Sequence, residues 1–401
     1  MFATRKPRRL RRATPLTARF SGRSWQAPRI ASVVGLLLVV IATAGCGSNA
    51  ETTRLTVVAR GLANPRQLSF GPGGVLYVAE AGAGGHERCA VAPDTKARVC
   101  VGASGAILAI SHGRLRRVIT GLPSAASAGG AESSGVADVV ESDRRLAFVV
   151  QDTYIDKAGA NQFGAAGADL GHLLSAPVSG GKPRLGANFA RFEATHNPDH
   201  GAGASAADAI ESDPYALAAY RGGFVVADAA GNDLLQVMPD GQIRVLAVFP
   251  IQHETTTATA TQKATRIAVQ SVPTSIAVSP TGAIYVSELT GYPFDPGFAR
   301  IWRIVPGHRA TVYARGLTSI SSIAFDHEGR LLVLEIDRDG LLNTKASGEL
   351  IRLNGPNHRT VLATTGLVSP TGVAVAPNGA IYISNYGTSP HAGEIVRLTP
   401  E

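Results

Sequence analysis

The sequence predicts an all-β protein, a six-bladed β-propeller of four-stranded antiparallel blades. Three observations predict it. A short segment of β-branched and aromatic residues recurs six times, at 74–80, 145–151, 222–228, 282–288, 329–335 and 379–385. Each copy is preceded by one apolar run and followed by a third, as in a repeated strand unit. The two ends of the repeat region are complementary, so the chain can close into a ring. Composition agrees: 45 Gly and only 17% charged residues, with no long amphipathic helical stretch, favour strands and turns.

The first 45 residues stand apart from this pattern. Residues 1–30 carry nine basic side chains (Arg5, Lys6, Arg8, Arg9, Arg11, Arg12, Arg19, Arg23 and Arg29) and no acidic one. The apolar run 30–44 is shorter than the ~20 residues a membrane helix needs, and has the length of a signal-peptide core. It ends in Thr43-Ala44-Gly45-Cys46, a lipobox-like site with Thr43 where Leu is usual. Two readings follow: a lipoprotein signal peptide cut before Cys46, whose thiol takes the lipid, or an ordinary signal peptide with an incidental Cys. The first organises the chain as leader 1–45, tether 46–52 and propeller 53–400. It places the protein outside the cytoplasm, anchored to a bacterial cell membrane through Cys46. The formal charge of +8 belongs to the leader: without it, 29 basic residues face 30 acidic ones. A nucleic-acid partner needs a basic face that the remainder does not supply, and a monomer is expected.

The blades follow in order. The first strands are 66–70, 136–140, 215–219, 274–278, 322–325 and 371–375. Turns such as Gly71-Pro72-Gly73-Gly74 and Ala376-Pro377-Asn378-Gly379 join most of them to the recurring second strand. Third strands lie at 106–110, 172–176, 233–237, 300–304, 349–353 and 394–398, and fourth strands at 115–120, 242–248, 310–314 and 359–363. A weak fourth strand is expected near 184–192. Residues 54–62 read as a fourth strand lacking its first three, and 394–398 as a third strand lacking its fourth, so the N-terminal strand completes the last blade. Insertions at 81–105, 123–135, 154–169, 196–213 and 252–270 read as long loops. Cys89 and Cys100 fall in the first insertion. In an oxidising compartment such a pair is expected to be bridged, with a metal site as the weaker reading because no His-Cys cluster surrounds it.

Residues 64–82 (NPRQLSFGPGGVLYVAEAG) resemble the first repeat of the ScyD/ScyE family, as do 228–235 (DAAGNDLL), 270–275 (QSVPTS) and 287–294 (SELTGYPF). The resemblance covers about 53–400. It implies a secreted six-bladed propeller akin to the NHL-repeat and gluconolactonase-like proteins, and it carries over no catalytic residue set.

Chemistry is expected where the first strands start and the second strands end, on one face of the ring. The second strands end in Glu80, Gln151, Asp228, Glu288, Glu335 and Asn385, and the first strands start at Arg66, Tyr215, Thr274, Ser322 and Thr371. Two readings stand side by side. Glu80, Asp228, Glu288, Glu335 and Asn385 form an oxygen-rich ring suited to Ca2+ or another divalent cation, with Arg66, Tyr215, Thr274, Ser322 and Thr371 binding a ligand at the channel mouth. Alternatively these are polar residues of a solvated channel. His196 and His200 are four apart, but Pro198 argues against one helix carrying both. Tyr292 and Phe294 are expected near the acidic ring. Function divides the same way: a surface-anchored scaffold for a small molecule, glycan or protein, or a metal-dependent lactonase-like hydrolase or oxidative biosynthetic enzyme.

Overall fold

The computed structural model describes residues 53–92, 96–151, 160–201, 210–255 and 266–400. The expectations for the leader, the tether and the Cys46 lipid fall outside these residues. Strand β1 (Thr53–Leu62) comes first in sequence but belongs to the last sheet. Blade one contains β2 (Pro65–Phe70), β3 (Leu76–Glu80), β4 (Arg88–Val91), β5 (Arg98–Ser111) and β6 (Arg114–Ser127). Blade two contains β7 (Val136–Ser142), β8 (Arg145–Val150), β9 (His172–Pro177) and β10 (Arg184–Asn188), followed by helix α1 (Phe189–His196). Blade three contains β11 (Pro214–Tyr220), β12 (Gly223–Asp228), β13 (Asp233–Val237) and β14 (Ile243–Val248). A two-stranded hairpin of β15 (Gln252–Thr255) and β16 (Arg266–Val269) precedes blade four. Blade four is β17 (Pro273–Val278), β18 (Ile284–Glu288), β19 (Ala299–Ile304) and β20 (Thr311–Leu317). Blade five is β21 (Ile320–Phe325), β22 (Leu331–Glu335), β23 (Glu349–Leu353) and β24 (Arg359–Ala363). Blade six holds β25 (Gly372–Val375), β26 (Ile381–Asn385) and β27 (Gly393–Pro400), with β1 on its outer side. β1 runs antiparallel to β27 with Leu55 opposite Leu398.

Local chemistry explains the hairpins. In blades one, four, five and six the turn between first and second strands ends on a Gly with φ between 71° and 84°, at Gly74, Gly282, Gly329 and Gly379. Only glycine takes that conformation without a Cβ penalty. Blades two and three instead use two-residue turns with positive φ at both positions, Asp143-Arg144 and Arg221-Gly222, the twist that suits a tight hairpin.

Strand alternation then builds the core. Tyr77 and Ala79 face blade two, where they join Val139 and Phe148. Leu76 and Val78, on the opposite face of the same strand, join Leu68, Ala374 and Ile395 between blades one and six. Four further clusters fill the remaining gaps between neighbours. Each blade therefore buries both faces, and the first strands pack in the cyclic order β2, β7, β11, β17, β21, β25 and back to β2.

Polar side chains tie these first strands together. Ser69 Oγ donates to Val139 O (2.6 Å). Asp138 Oδ2 accepts from Leu217 N (2.8 Å), and Ser275 Oγ accepts from Ile323 N (3.1 Å). Ser321 Oγ donates to Pro370 O (2.8 Å) and Thr371 Oγ1 to Pro65 O (2.6 Å).

The structure revises several expectations. Much of the first two insertions is strand rather than loop: β4 and the distal halves of β5 and β6 extend blade one outward. Cys89 and Cys100 are opposite one another on β4 and β5 and are joined by a disulfide. Residues 189–192, expected as strand, are helical, because Asn188 caps α1 by accepting from Arg191 N (2.8 Å). The helix ends with Asn197 in the left-handed region just before Pro198, so His196 closes it and His200 lies beyond.

Asp138 gives a test of the inter-blade ties. Burial pushes its carboxyl up to about 8, against the two backbone N–H groups of Leu217 and Val139 that favour the ionised form. The folded value lies above the ordinary one, so the stabilisation is complete below about pH 4 and is lost as pH rises through about 8. Asp138→Asn cannot titrate and also loses one accepted bond. Its melting temperature should lie below that of the wild type at pH 5, with the gap narrowing by several degrees towards pH 8.5. An unchanged gap in thermal denaturation would refute this assignment.

Candidate binding cavity at the channel mouth

A cavity of about 500 Å3 opens at the end of the channel where the first strands start. Its walls come from the loops around the ring: Arg66, Glu132, Asp213, Tyr215, Val272, Thr274, Leu289, Ser321, Ile336, Asp337, Leu341 and Ser369 among others. Of the five channel-mouth residues expected from sequence, Arg66, Tyr215 and Thr274 are brought together here. Ser322 and Thr371 are not among its walls. The Ser322 hydroxyl donates to Gln67 Oε1 (2.7 Å) and accepts from Val373 N, and Thr371 is held by Pro65 O. Thr274 also donates to Ile320 O (2.6 Å), so its hydroxyl holds blade four to blade five as well as lining the cavity.

Gln67 ties two of these walls together. From blade one its side chain reaches across the axis, Nε2 donating to Thr274 O (3.2 Å) and Ser321 O (2.8 Å) while Oε1 accepts from Ser322. Arg66, Thr274 and Ser321 line the cavity on one side of this tie. Gln67, Leu68, Ser275 and Ile323 line a second opening of about 370 Å3 on the other side. The channel is thus divided at Gln67.

The strand-end residues Glu80, Asp228, Glu288, Glu335 and Asn385 do not converge on the axis. Each serves its own blade by fastening the chain that leads into it. Glu80 Oε1 accepts from Ala63 N, Glu335 Oε1 from Thr318 N and Asn385 Oδ1 from Val368 N, each 17 residues earlier. Glu288 accepts from Ser271 Oγ at the same spacing, and from Arg300 and Trp302. Asp228 accepts from Asp213 N and Ser212 Oγ. Gln151 donates to Asp213 Oδ2 (3.3 Å). Among the described residues no group of three or more His, Cys, Asp or Glu already stands at the spacing that holds a metal ion. The converging ring expected from sequence is therefore replaced by five strand-end anchors, one in each blade but the second.

Electrostatics distinguish the cavity from the ring. The buried Arg66 guanidinium donates to Gly387 O (3.0 Å) and Ser133 O (2.7 Å), joining blade one to its neighbours on both sides. None of the ion pairs among the described residues involves it. Burial pushes the Tyr215 phenol up, against the opposing charge of Arg66. Burial also pushes Glu335 up to about 7 and raises Asp228, the latter against its accepted hydrogen bonds. Glu193 is pushed up to about 8, and Asp233 well above the carboxylate range, by burial and by neighbouring acids.

Sequence reasoning missed Gln67, Asp213 and Ser321. Each lies one or two residues from a strand end that was singled out, so the signal was position beside the ring, not residue type. Tyr292 is exposed beside Phe294, whose carbonyl abuts Gly340 next to the cavity-lining segment around Leu341.

No family profile and no curated protein matches this chain. Among solved structures it is similar to a streptogramin B lyase, at 14% identity over 88% of this chain and 100% of that one, with a TM-score of 0.47. It is similar to a gluconolactonase from Xanthomonas campestris, at 10% identity over 87% and 90%, with a TM-score of 0.49. A third is the PQQ-bound aldose sugar dehydrogenase from Streptomyces coelicolor, at 13% identity over 87% and 98%, with a TM-score of 0.47.

Gln67→Ala removes the donors of two buried carbonyls and should lower unfolding free energy by about 1–3 kcal/mol in urea titrations. Gln67→Glu also puts a charge against those carbonyls, so at pH 8 it should be less stable than Gln67→Ala and should recover on acidification. Equal stability of the two variants at pH 8 would remove Gln67 as the axial tie.

Proposed function

We propose that the protein is an exported, lipid-anchored binding scaffold of the ScyD/ScyE type, holding a small polyhydroxylated molecule, such as the end of a glycan, at the channel mouth. The observation that carries this reading is the cavity at the channel mouth, two of whose walls Gln67 ties together. At about 500 Å3 it lies in the range of small-molecule sites. Its walls mix apolar surface from Val272, Leu289, Ile336 and Leu341 with the carboxylates of Asp213 and Asp337, the cation of Arg66 and the hydroxyl of Ser321. A sugar presents the same mixture, with hydroxyls at its edges and C–H groups on its faces. Carboxylates accept from the hydroxyls, the guanidinium donates to ring or carbonyl oxygens, and apolar walls cover the C–H faces. The alternative of a metal-dependent hydrolase or oxidative enzyme at the acidic ring has no comparable support, because the strand-end acids are engaged blade by blade.

Anchoring through Cys46 would hold the propeller close to the membrane, since β1 starts seven residues later. Mass spectrometry of protein extracted from native membranes should find the mature chain starting at a diacylglycerol-modified Cys46. A Cys46→Ser variant should be released into the medium. An unmodified N-terminus elsewhere would reject the anchor.

The binding reading is tested by thermal shift with mono- and oligosaccharides and sugar lactones. Ala346, exposed at the cavity wall, can be enlarged without breaking a tie. Ala346→Trp should leave the ligand-free melting temperature unchanged and abolish a ligand-induced rise of several degrees. The reading fails if no hydroxylated ligand raises the wild-type value, or if Ala346→Trp responds equally.

A further inference from the structure

Blade three departs from its neighbours at one equivalent place. In blade one, the strand-end acid Glu80 pairs with Arg117 at 3.0 Å, and in blade four Glu288 pairs with Arg300 at 2.8 Å. In blade five, Glu335 lies opposite Glu349, and Arg338 stands 3.8 Å from Glu349. In blade six, Asn385 lies opposite Glu394, and Arg60 stands 3.8 Å from it. An arginine thus compensates the acid at each of these sheet ends. In blade three, Asp228 lies opposite Asp233 on adjacent strands, an arrangement of like charges that destabilises a sheet. None of the ion pairs among the described residues reaches either one.

Two more acids are added instead of a base. Glu193 of α1 and Asp199 beyond it are both buried and both close enough for their charges to act on Asp233. Asp199 Oδ2 accepts from Asn232 Nδ2 (2.9 Å), between the two strands. Glu193 Oε2 and Asp228 Oδ1 flank the open side of Gly231, 3.4 and 3.5 Å from where a Cβ would stand. Asp233 is 1% exposed, and among the described residues neither of its carboxylate oxygens has a hydrogen-bond partner. A proton would remove its charge but would still leave a buried carboxyl without partners, a costly state.

We propose that Glu193, Asp199, Asp228 and Asp233 form a divalent-cation site in blade three, which takes Ca2+ and supplies the charge that arginine supplies in blades one, four, five and six. The donors are all oxygen, and they come from a helix, a loop and two strands. Ca2+ accepts such irregular sets of six to eight oxygens, with water completing them, where Mg2+ demands a near-ideal octahedron. The four side chains do not yet meet at ligand spacing, so the ion draws them together on binding. Asp228 also holds Asp213 through its backbone N–H (2.6 Å), and Asp213 lines the cavity. The cation therefore stiffens one cavity wall.

The test uses purified protein dialysed against chelator and then titrated with Ca2+ by calorimetry at neutral pH. Wild-type protein should take up one Ca2+ per chain and gain several degrees in melting temperature. Asp233→Asn and Glu193→Gln should each weaken uptake by at least about tenfold. Without the ion, both variants should melt at or above the wild type, because folding at neutral pH no longer requires a buried carboxyl to take up a proton, so lost binding cannot be ascribed to misfolding. No uptake by wild-type protein, or undiminished uptake by both variants, overturns the proposal.

Discussion

The ring holds because polar side chains at the starts of the inner strands bond to the backbone of the neighbouring blade. Apolar packing fills the six gaps between blades, but burial is non-directional and does not by itself fix how far each blade sits from the axis. The ties from Ser69, Asp138, Thr274, Ser275, Ser321 and Thr371 do fix it. Gln67 adds a bond across the ring, from blade one to blades four and five. That side chain lies between the cavity and the second opening of the channel, and the cavity walls are the loops that these ties position.

The repeated unit explains a second economy. An acid or amide at the end of every second strand but that of blade two captures the incoming chain of its own blade, usually 17 residues upstream. Burying a carboxylate there is unfavourable unless it is hydrogen-bonded and its charge is met. Arginines meet it in blades one and four by direct contact. Blade three gathers more acids at the same place, and that contrast within one chain directs attention to a cation there. The cavity and this cluster meet at one hydrogen bond, from Asp213 N in the cavity wall to Asp228 in the cluster.

Much of the fold was legible because strand repeats leave a local record. The Gly-ended hairpins, the alternating apolar residues and six copies of each inner strand all appear in the residue order. The first insertion was not legible as strand, because its Ala, Gly and Ser residues have the composition of a loop. It became sheet by pairing with the long strands β5 and β6, a long-range contact. Helix α1 was hidden for a similar reason: eight residues with one capping Asn carry little periodic signal. The ring of strand-end acids was located correctly on each blade but read as convergent. Alternation along a strand says which face a side chain takes; it does not say whether that side chain reaches the axis or folds back on its own loop.

What the sequence determined by itself is the repeat: which residues form strands, where the hairpins turn, and which face of each strand is apolar. These follow from local sterics and period-two patterning, which act over a few residues. What only the tertiary structure decided is the partner of each polar group. Gln67 finds Thr274 and Ser321 more than 200 residues away, Arg66 finds Gly387, and Asp233 finds three other acids and no base. Such pairings depend on how six blades close on one another, and closure is a property of the whole ring that no single repeat encodes.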